Sequence, residues 1–145
     1  VGDKAYELRL SEESAGTQKL MGLAAYLMTA LERGGTVVVD ELDAKLHPKL
    51  LRYVILLFKD PEVNKSGAQL IFSSQDVSTM RNDVFRRDEI WFAARGEGEA
   101  SQLWSLADIH EANGNLVSKN AALDKQYLSG RYGADPYLTR IEEWD

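Results

Sequence analysis

The sequence predicts an α/β fold, a layered sheet with a mostly parallel core, helices on both faces and a hairpin at one edge. Helical apolar spacing alternates along the chain with short apolar strands, which is typical of such a layered sheet. The first of these strands is apolar on both faces, and two later strands are joined by a short turn. With 145 residues and 44% hydrophobic residues, the chain is long enough for one domain with a buried core.

The first predicted helix begins at Ser14 and continues with leucines at helical spacing until Gly34 and Gly35 stop it. The segment TVVVD, residues 36–40, follows as a buried strand expected to be covered on both sides. His47 and Pro48 open the second helix, because proline suits a first turn where its missing N–H has no helical partner. Its predicted inward residues are Leu50, Leu51, Val54, Leu57 and Phe58.

Three further strands are predicted after the second helix. AQLIFSS, residues 68–74, is a short apolar strand, while DEIWFAA (88–94) and SQLWSLA (101–107) are expected to form the hairpin. Three aromatic residues of that hairpin are interpreted as core: Trp91, Phe92 and Trp104. From about Asp108 onward, helix and loop are expected.

Composition excludes several classes of protein. The net charge of −6 argues against a surface that coats nucleic acid, although a local nucleic-acid contact stays open. The absence of cysteine excludes disulfides and thiolate metal sites. No run approaches the roughly 20 apolar residues of a membrane helix, and the first residues lack the pattern of a secretion signal. We therefore expect a cytoplasmic protein without a membrane partner.

Acidic residues stand where the first strand ends. In a parallel sheet, ligands gather at the carboxyl ends of the strands, so Asp40 and Glu41 are predicted to lie where chemistry is usually done. An apolar strand ending in Asp-Glu is the layout of a Walker B motif, whose Asp orients Mg²⁺ and whose Glu polarises the attacking water. The alternative is a strand that ends in solvated acids and caps the next helix.

Two neighbouring segments strengthen the first interpretation. Upstream, LSEESAGTQKLMGLA places Ser14, Gly16 and Thr17 at a helix start, where free backbone N–H groups and the helix dipole favour an anion. Downstream, LIFSSQD ends another apolar strand in polar residues. Taken singly, the first is an ordinary N-cap and the second merely a strand end.

Together and in this order, the segments resemble ABC-type ATPases, specifically the stand-alone bacterial AAA-type ATP-binding proteins related to the RecF, SMC and OLD groups. ESAGTQK resembles the signature motif, VVVDELDAKLHP resembles Walker B followed by the D-loop, and LIFSSQD resembles the switch strand. The segment YLSGRYGADPYL is similar to the closing segment of these abortive-infection-like proteins. The resemblance spans residues 14–137 with gaps and implies a partial P-loop NTPase fold.

The resemblance also implies cofactors, partners and residue roles. The cofactors are ATP and Mg²⁺, and two subunits sandwich two ATP molecules as a homodimer. Asp40 is the Mg²⁺ residue, Glu41 the catalytic base, and Gln75 occupies the switch position. Asp43 and His47 belong to the D-loop that faces the partner subunit. The signature residues that approach the opposite subunit's ATP are Ser14, Gly16, Thr17 and Gln18.

Two features depart from that family. The switch position is usually His, whereas Gln75 can donate a hydrogen bond but cannot carry a charge. The phosphate-binding loop, Gly-x-x-x-x-Gly-Lys-Ser/Thr, does not occur in the 145 residues. We therefore expect residues 1–145 to be the C-terminal portion of one ABC-type ATPase domain that binds ATP poorly without its N-terminal half. The first residues are also predicted to form a strand with Tyr6, Leu8 and Leu10 on one face, as expected of a chain that enters the fold midway.

Several functions stay open at this point. The favoured one is an ATP-driven dimeric switch in bacterial phage defence or DNA maintenance, associated with a nuclease or another effector that the sequence does not name. A second is an interaction module that neither binds nor hydrolyses ATP. A third is a metal-dependent nuclease that uses Asp40, Glu41 and Asp43. A DExD helicase is a more distant alternative, because QYLSGRYGADPYLTR has the wrong spacing between Gln126 and Gly130 for the later helicase motif.

Overall fold

The computed structural model describes residues 7, 9–95, 100–111, 114–118 and 120–134. The chain divides into two compact units, Val1–Thr79 (the first unit) and Met80–Asp145 (the second unit). Strands and helices occur in both, which confirms the α/β class. Among the described residues, no helix combines the length and the apolar character that crossing a bilayer requires.

Helix α1 spans Ala15–Arg33 in the first unit. Ser14 is its N-cap, as predicted, and Gly34 ends it with a φ of 80°, a left-handed conformation that favours glycine. The predicted opening strand is wrong at Leu10, which lies in a 3-10 turn, Leu10–Glu12, and is exposed. A turn forms there because the Glu12 carboxylate accepts a hydrogen bond from the Arg9 backbone N–H. Tyr6 and Leu8 lie outside the described residues.

Strands β1, Thr36–Val39, and β2, Gln69–Phe72, pair in parallel and form the sheet of the first unit. The register aligns Val37 with Leu70 and Val39 with Phe72. Since successive side chains alternate between the faces of a strand, these four residues share one face. That face is the covered one, because Val39 is buried and the other three are half-buried.

The expectation that both faces of β1 are covered is wrong within the described residues. Val38 is 73% exposed and its neighbour in the register, Ile71, is 55% exposed. The described helices of the first unit leave this face open, so the described sheet does not have helices on both faces. The apolar sequence of β1 correctly predicted an apolar second face but could not show which element covers it.

Helix α2 spans Pro48–Lys59, with Pro48 in its first turn as predicted. Its buried residues are Leu51, Val54 and Ile55, and the sequence pattern does not predict the last of these. The loop after the helix is held by Asn64. Its side-chain amide donates to the carbonyl oxygens of Phe58 and Ala68 at 2.7 and 2.8 Å, and its oxygen accepts from the Ala68 N–H at 2.7 Å. This loop leads the chain into β2.

The predicted hairpin is confirmed in the second unit. Strands β3, Trp91–Arg95, and β4, Ser101–Ser105, pair antiparallel, with the predicted turn lying largely outside the described residues. The prediction that this hairpin is the edge of one mixed sheet is wrong within the described residues, where β1–β2 and β3–β4 each form a two-stranded sheet. The hairpin instead covers a hydrophobic cluster of its own unit: Ile90, Phe92, Leu106, Val117, Leu123 and Tyr132.

Aromatic contacts organise that cluster. Phe92 stacks on Tyr127, with ring centroids 5.8 Å apart and an interplanar angle of 10°, and meets Tyr132 at 5.2 Å. Trp104 packs against the same core and donates its indole N–H to the Tyr132 carbonyl oxygen at 3.1 Å. The core interpretation is therefore confirmed for Phe92 and Trp104. It is wrong for Trp91, which is 57% exposed because it lies on the opposite face of β3.

Helix α3, Leu123–Leu128, ends in a turn that brings Tyr132 into this core. The Gly130 N–H donates to the Tyr127 carbonyl and the Arg131 N–H donates to the Gln126 carbonyl, which is the pattern of a Schellman motif. Gly130 has a φ of 74°, as the motif requires of its left-handed position. The Tyr132 hydroxyl then donates to the Gln126 side-chain oxygen at 2.6 Å.

Candidate functional site

The site is built at the carboxyl ends of β1 and β2. Because Val39 is aligned with Phe72, the residues that follow them, Asp40 and Ser73, come side by side. The pairing continues past the strands, since the Ser73 N–H donates to the Val39 carbonyl at 3.1 Å. The Leu42 N–H donates to the Ser73 carbonyl at 3.0 Å. We call residues 40–47, which begin at this point, the strand-edge loop.

The Ser73 hydroxyl joins the two acids predicted from the sequence. It donates a short hydrogen bond to Asp40 Oδ1 and accepts one from the Glu41 backbone N–H at 2.7 Å. Glu41 has a φ of 48°, a left-handed conformation that is uncommon for a residue other than glycine. Such strained residues persist where the surroundings hold them, and they cluster at functional sites.

Asp43 links the strand-edge loop to the segment after β2. Its Oδ2 accepts hydrogen bonds from the backbone N–H groups of Gln75 and Asp76, both at 3.2 Å. Its Oδ1 is buried and has no hydrogen-bond partner among the described residues. The Walker B-like and switch-like segments are thus tied together by backbone and side-chain hydrogen bonds.

The signature-like residues form a capped helix start. Ser14 Oγ accepts from the Thr17 N–H at 3.1 Å and hydrogen-bonds the Thr17 hydroxyl at 2.8 Å. The Gln18 side-chain amide donates to the Glu13 carbonyl at 2.8 Å. Ser14, Thr17 and Gln18 therefore have local structural roles, and the N-cap interpretation of Ser14 is confirmed.

This helix start lies against the strand-edge loop. A Cβ atom added to Gly16 would come within 2.5 Å of the Lys45 carbonyl oxygen, so only glycine fits there. The Lys19 ammonium donates to the carbonyl oxygens of Glu41 and Ala44. Lys45 itself has a φ of 65°. The loop is consequently held from two sides, by the start of α1 and by the end of β2.

His47 caps α2 from the far end of the same loop. Its Nδ1 accepts a hydrogen bond from the Lys49 N–H at 3.1 Å, which requires this nitrogen to be unprotonated. The ring is part of an exposed residue. The structure thus gives His47 an intrachain role, and its predicted contact with a partner subunit stays a prediction.

Three side-chain groups at this edge remain available for a ligand. Asp40 Oδ2, the Glu41 carboxylate and the Gln75 side-chain amide belong to exposed residues and have no hydrogen-bond partner in the described part of the chain. Carboxylate oxygens are the ligands that Mg²⁺ prefers, and Mg²⁺ usually takes only one or two of them from the protein. Asp40 therefore fits a Mg²⁺ ion bound through one carboxylate oxygen.

The nuclease alternative gains no support from this geometry. No group of three or more His, Cys, Asp or Glu side chains gathers as a metal site within the residues that the structure describes. Asp43 instead uses Oδ2 for two backbone hydrogen bonds and so does not join Asp40 and Glu41 in a shared cluster.

Two residues of this site, Ser73 and Lys19, are not predicted as site residues from the sequence. Ser73 belongs to a strand end that the sequence identifies only as polar, although aligning the two strand ends places it beside Asp40. The second residue is Lys19. A lysine one turn into a helix has no sequence signal for a contact with a loop more than 20 residues later.

Residues 1–81 match the family model described as "AAA domain, putative AbiEii toxin, Type IV TA system". The match covers more than half of the chain and includes the whole strand-edge loop. No curated protein and no solved structure matches the chain significantly.

Proposed function

This chain belongs to the AAA-domain family that its first 81 residues match, and we propose that it is the C-terminal portion of an ABC-type ATPase domain. Membership of an AAA family indicates a nucleotide-binding module for ATP. The proposal of an ABC-type ATPase domain is supported above all by one observation. The strand-edge loop is bonded both to the start of α1, through Lys19, and to the segment after β2, through Ser73 and Asp43.

In this proposal Asp40, Glu41 and Gln75 have three different roles. Asp40 holds Mg²⁺, which when bound offsets the negative charge of the ATP phosphates. Glu41 accepts a proton from the attacking water, and an exposed carboxylate without a hydrogen-bond partner among the described residues is free to do so. Gln75 donates its amide N–H to the γ-phosphate in place of the usual histidine.

The proposal requires a phosphate-binding loop that these 145 residues do not contain. We propose that an N-terminal half of the same domain supplies it. The exposed apolar face formed by Val38 and Ile71 supports this, because a strand with an apolar face usually packs it against another element.

Two complete copies would bind two ATP molecules between them. The segment from Ser14 to Gln18 would approach the γ-phosphate held by the partner subunit, and Asp43 and His47 would face that subunit. The buried Asp43 Oδ1, which lacks a donor among the described residues, is consistent with a donor from outside this part of the chain. Binding would close the dimer and hydrolysis would reopen it.

The output would be a conformational signal to an effector, such as a nuclease, in bacterial phage defence or DNA maintenance. The description of the matched family supports this setting, since it names a toxin and a type IV TA system. A second candidate is an interaction module without turnover, favoured by Gln75 at the switch position and by the missing phosphate-binding loop.

The decisive experiment measures MgATP binding and hydrolysis by this chain and by a longer natural form that carries a phosphate-binding loop. We expect activity only in the longer form. Glu41→Gln in that form should abolish turnover while ATP remains bound and the dimer stays closed. Glu32→Gln is the matched control, because Glu32 lies near the far end of α1 and should leave the rate unchanged.

The outcomes separate the candidates. Turnover at the wild-type rate in Glu41→Gln would show that the catalytic base is another group. If neither form of the protein binds ATP, the interaction module is the correct function.

A further inference from the structure

We infer that Ser73 is the positioning residue of this edge: its hydroxyl fixes the Asp40 carboxylate and the Glu41 backbone so that Asp40 presents one oxygen to a divalent cation. This inference rests on the proposed function and adds to it a residue outside the acids and the signature-like segment. It is carried by the two hydrogen bonds of the Ser73 hydroxyl and by the register that places Ser73 beside Asp40.

The first step concerns the chemistry of one oxygen atom. Ser73 Oγ donates to Asp40 Oδ1 and at the same time accepts from the Glu41 N–H. A hydroxyl can do both, because it carries one donor hydrogen and two acceptor lone pairs. Alanine can do neither, whereas threonine keeps both abilities. Comparing Ser73→Ala with Ser73→Thr therefore distinguishes the loss of the hydroxyl from the effect of any change of side chain.

The second step concerns the carboxylate. One oxygen of Asp40 is occupied by Ser73, and Oδ2 has no hydrogen-bond partner within the described residues. The hydrogen bond restricts rotation of the carboxylate, so the remaining oxygen has a defined direction before any cation binds. Replacing a residue that holds a metal ligand in this way commonly lowers the metal affinity by about 10-fold to 100-fold.

The third step concerns the backbone. The left-handed conformation of Glu41 turns the chain directly after β1, and the N–H of that residue is the one Ser73 accepts. The Leu42 N–H instead donates to the Ser73 backbone carbonyl. Replacing the Ser73 side chain should therefore release the Glu41 amide and leave the Leu42 amide bonded.

A first experiment tests this backbone contact in the 145-residue chain by residue-resolved amide hydrogen exchange. In Ser73→Ala the Glu41 amide should exchange about tenfold faster, as expected for one lost hydrogen bond, with little change at Leu42. Ser73→Thr should restore protection. The matched control is Ser74→Ala, because among the described residues the Ser74 hydroxyl bonds only within the Ser74–Asp76 segment. Unchanged exchange at Glu41 in Ser73→Ala would overturn the inference.

A second experiment uses Mn²⁺ as the probe, since it broadens nuclear magnetic resonance signals close to where it binds. In the wild-type chain we expect Mn²⁺ to broaden the signals around Asp40 selectively. Ser73→Ala should require about tenfold more Mn²⁺ for the same effect, and Ser73→Thr should return to the wild-type value. Broadening that avoids Asp40, or equal Mn²⁺ titrations in wild type and Ser73→Ala, would contradict the inference.

A third measurement, in the longer natural form, separates this inference from the proposed function. Ser73→Ala should raise the half-saturating Mg²⁺ concentration about tenfold, while KM for ATP at saturating Mg²⁺ stays near wild type. A merely structural role would raise both the half-saturating Mg²⁺ concentration and KM for ATP in parallel, or would change neither. If the longer form binds no ATP, the proposed function fails, and the exchange and Mn²⁺ results still decide the role of Ser73.

Discussion

The strand-edge loop of the first unit and the aromatic core of the second unit are ordered by different interactions. The loop is held by hydrogen bonds from Lys19, Ser73 and Asp43 and contains two left-handed residues, Glu41 and Lys45. The core is held by buried apolar side chains and stacked rings. Strained backbone beside unpaired polar groups is expected of a functional site, whereas burial without such groups is expected of a scaffold.

The largest expected effect tests the scaffold. Leu106 is fully buried, so Leu106→Ala should lower the free energy of unfolding of the second unit by about 2–5 kcal/mol. Leu103→Ala is the matched control, because Leu103 is 68% exposed and should cost less than about 0.5 kcal/mol. Urea unfolding followed by tryptophan fluorescence measures this, since all three tryptophans come after residue 80.

Amide exchange in β1, measured on the Leu106→Ala variant, then tests whether the first unit stays folded when the core of the second unit is weakened. We expect it to stay at the wild-type rate, because the cluster around Leu106 consists of second-unit residues. Faster exchange in β1 would mean that the two units unfold together.

The next effect tests the close approach of α1 to the strand-edge loop. Gly16→Ala would put a Cβ within 2.5 Å of the Lys45 carbonyl oxygen, and such overpacking should cost about 1–3 kcal/mol in the stability of the first unit. Gly22→Ala is the matched control in the same helix. Nothing lies within 4 Å of its added Cβ, so it should stabilise the helix by about 0.5–1 kcal/mol.

Thermal unfolding followed by the helical circular dichroism signal checks this pair of variants. A melting temperature for Gly16→Ala that rises as it does for Gly22→Ala would show that the loop does not lie against α1 as described.

The smallest effect concerns Tyr132 in the second unit. Burial is the main cause that raises the pKa of its hydroxyl from 10.0 to about 12, and the negative charges of Glu111 and Asp124 add to the rise against the opposing charge of Arg131. Because the folded state binds this proton more tightly than the unfolded state, the stabilisation is complete below pH 10.0 and is lost as pH rises to about 12. An ultraviolet titration should show a tyrosine ionisation step near pH 12, and Tyr132→Phe should remove that step.

Local chemistry explains what the sequence predicted well. Ser14 begins α1 and Gly34 ends it. A hydroxyl at the N-cap and a glycine in a left-handed position both work through contacts within one helical turn, so the sequence alone predicts them. Likewise Pro48 fixes the start of α2. Asp40 and Glu41 were predicted at a strand end because an apolar run stops there, and that placement is confirmed.

Contacts between distant segments explain what the sequence could not predict. The exposure of Val38 and Trp91 depends on which elements pack against each strand face, and apolar composition is the same whether a face is covered or open. The separate sheets follow from the hairpin packing on its own cluster. The bonds from Lys19 and Ser73 to the strand-edge loop join residues 22 and more positions apart, beyond any local pattern.

The parallel register of β1 and β2 determines which insertions and deletions the site can tolerate. Asp40 and Ser73 meet because each follows the last aligned pair, Val39 and Phe72, and not because of the number of residues between them. Homologous chains could therefore lengthen or shorten the connection between α2 and β2 while keeping the site. A single residue gained or lost inside β2 would move the hydroxyl away from Asp40 and turn the strand's apolar face over.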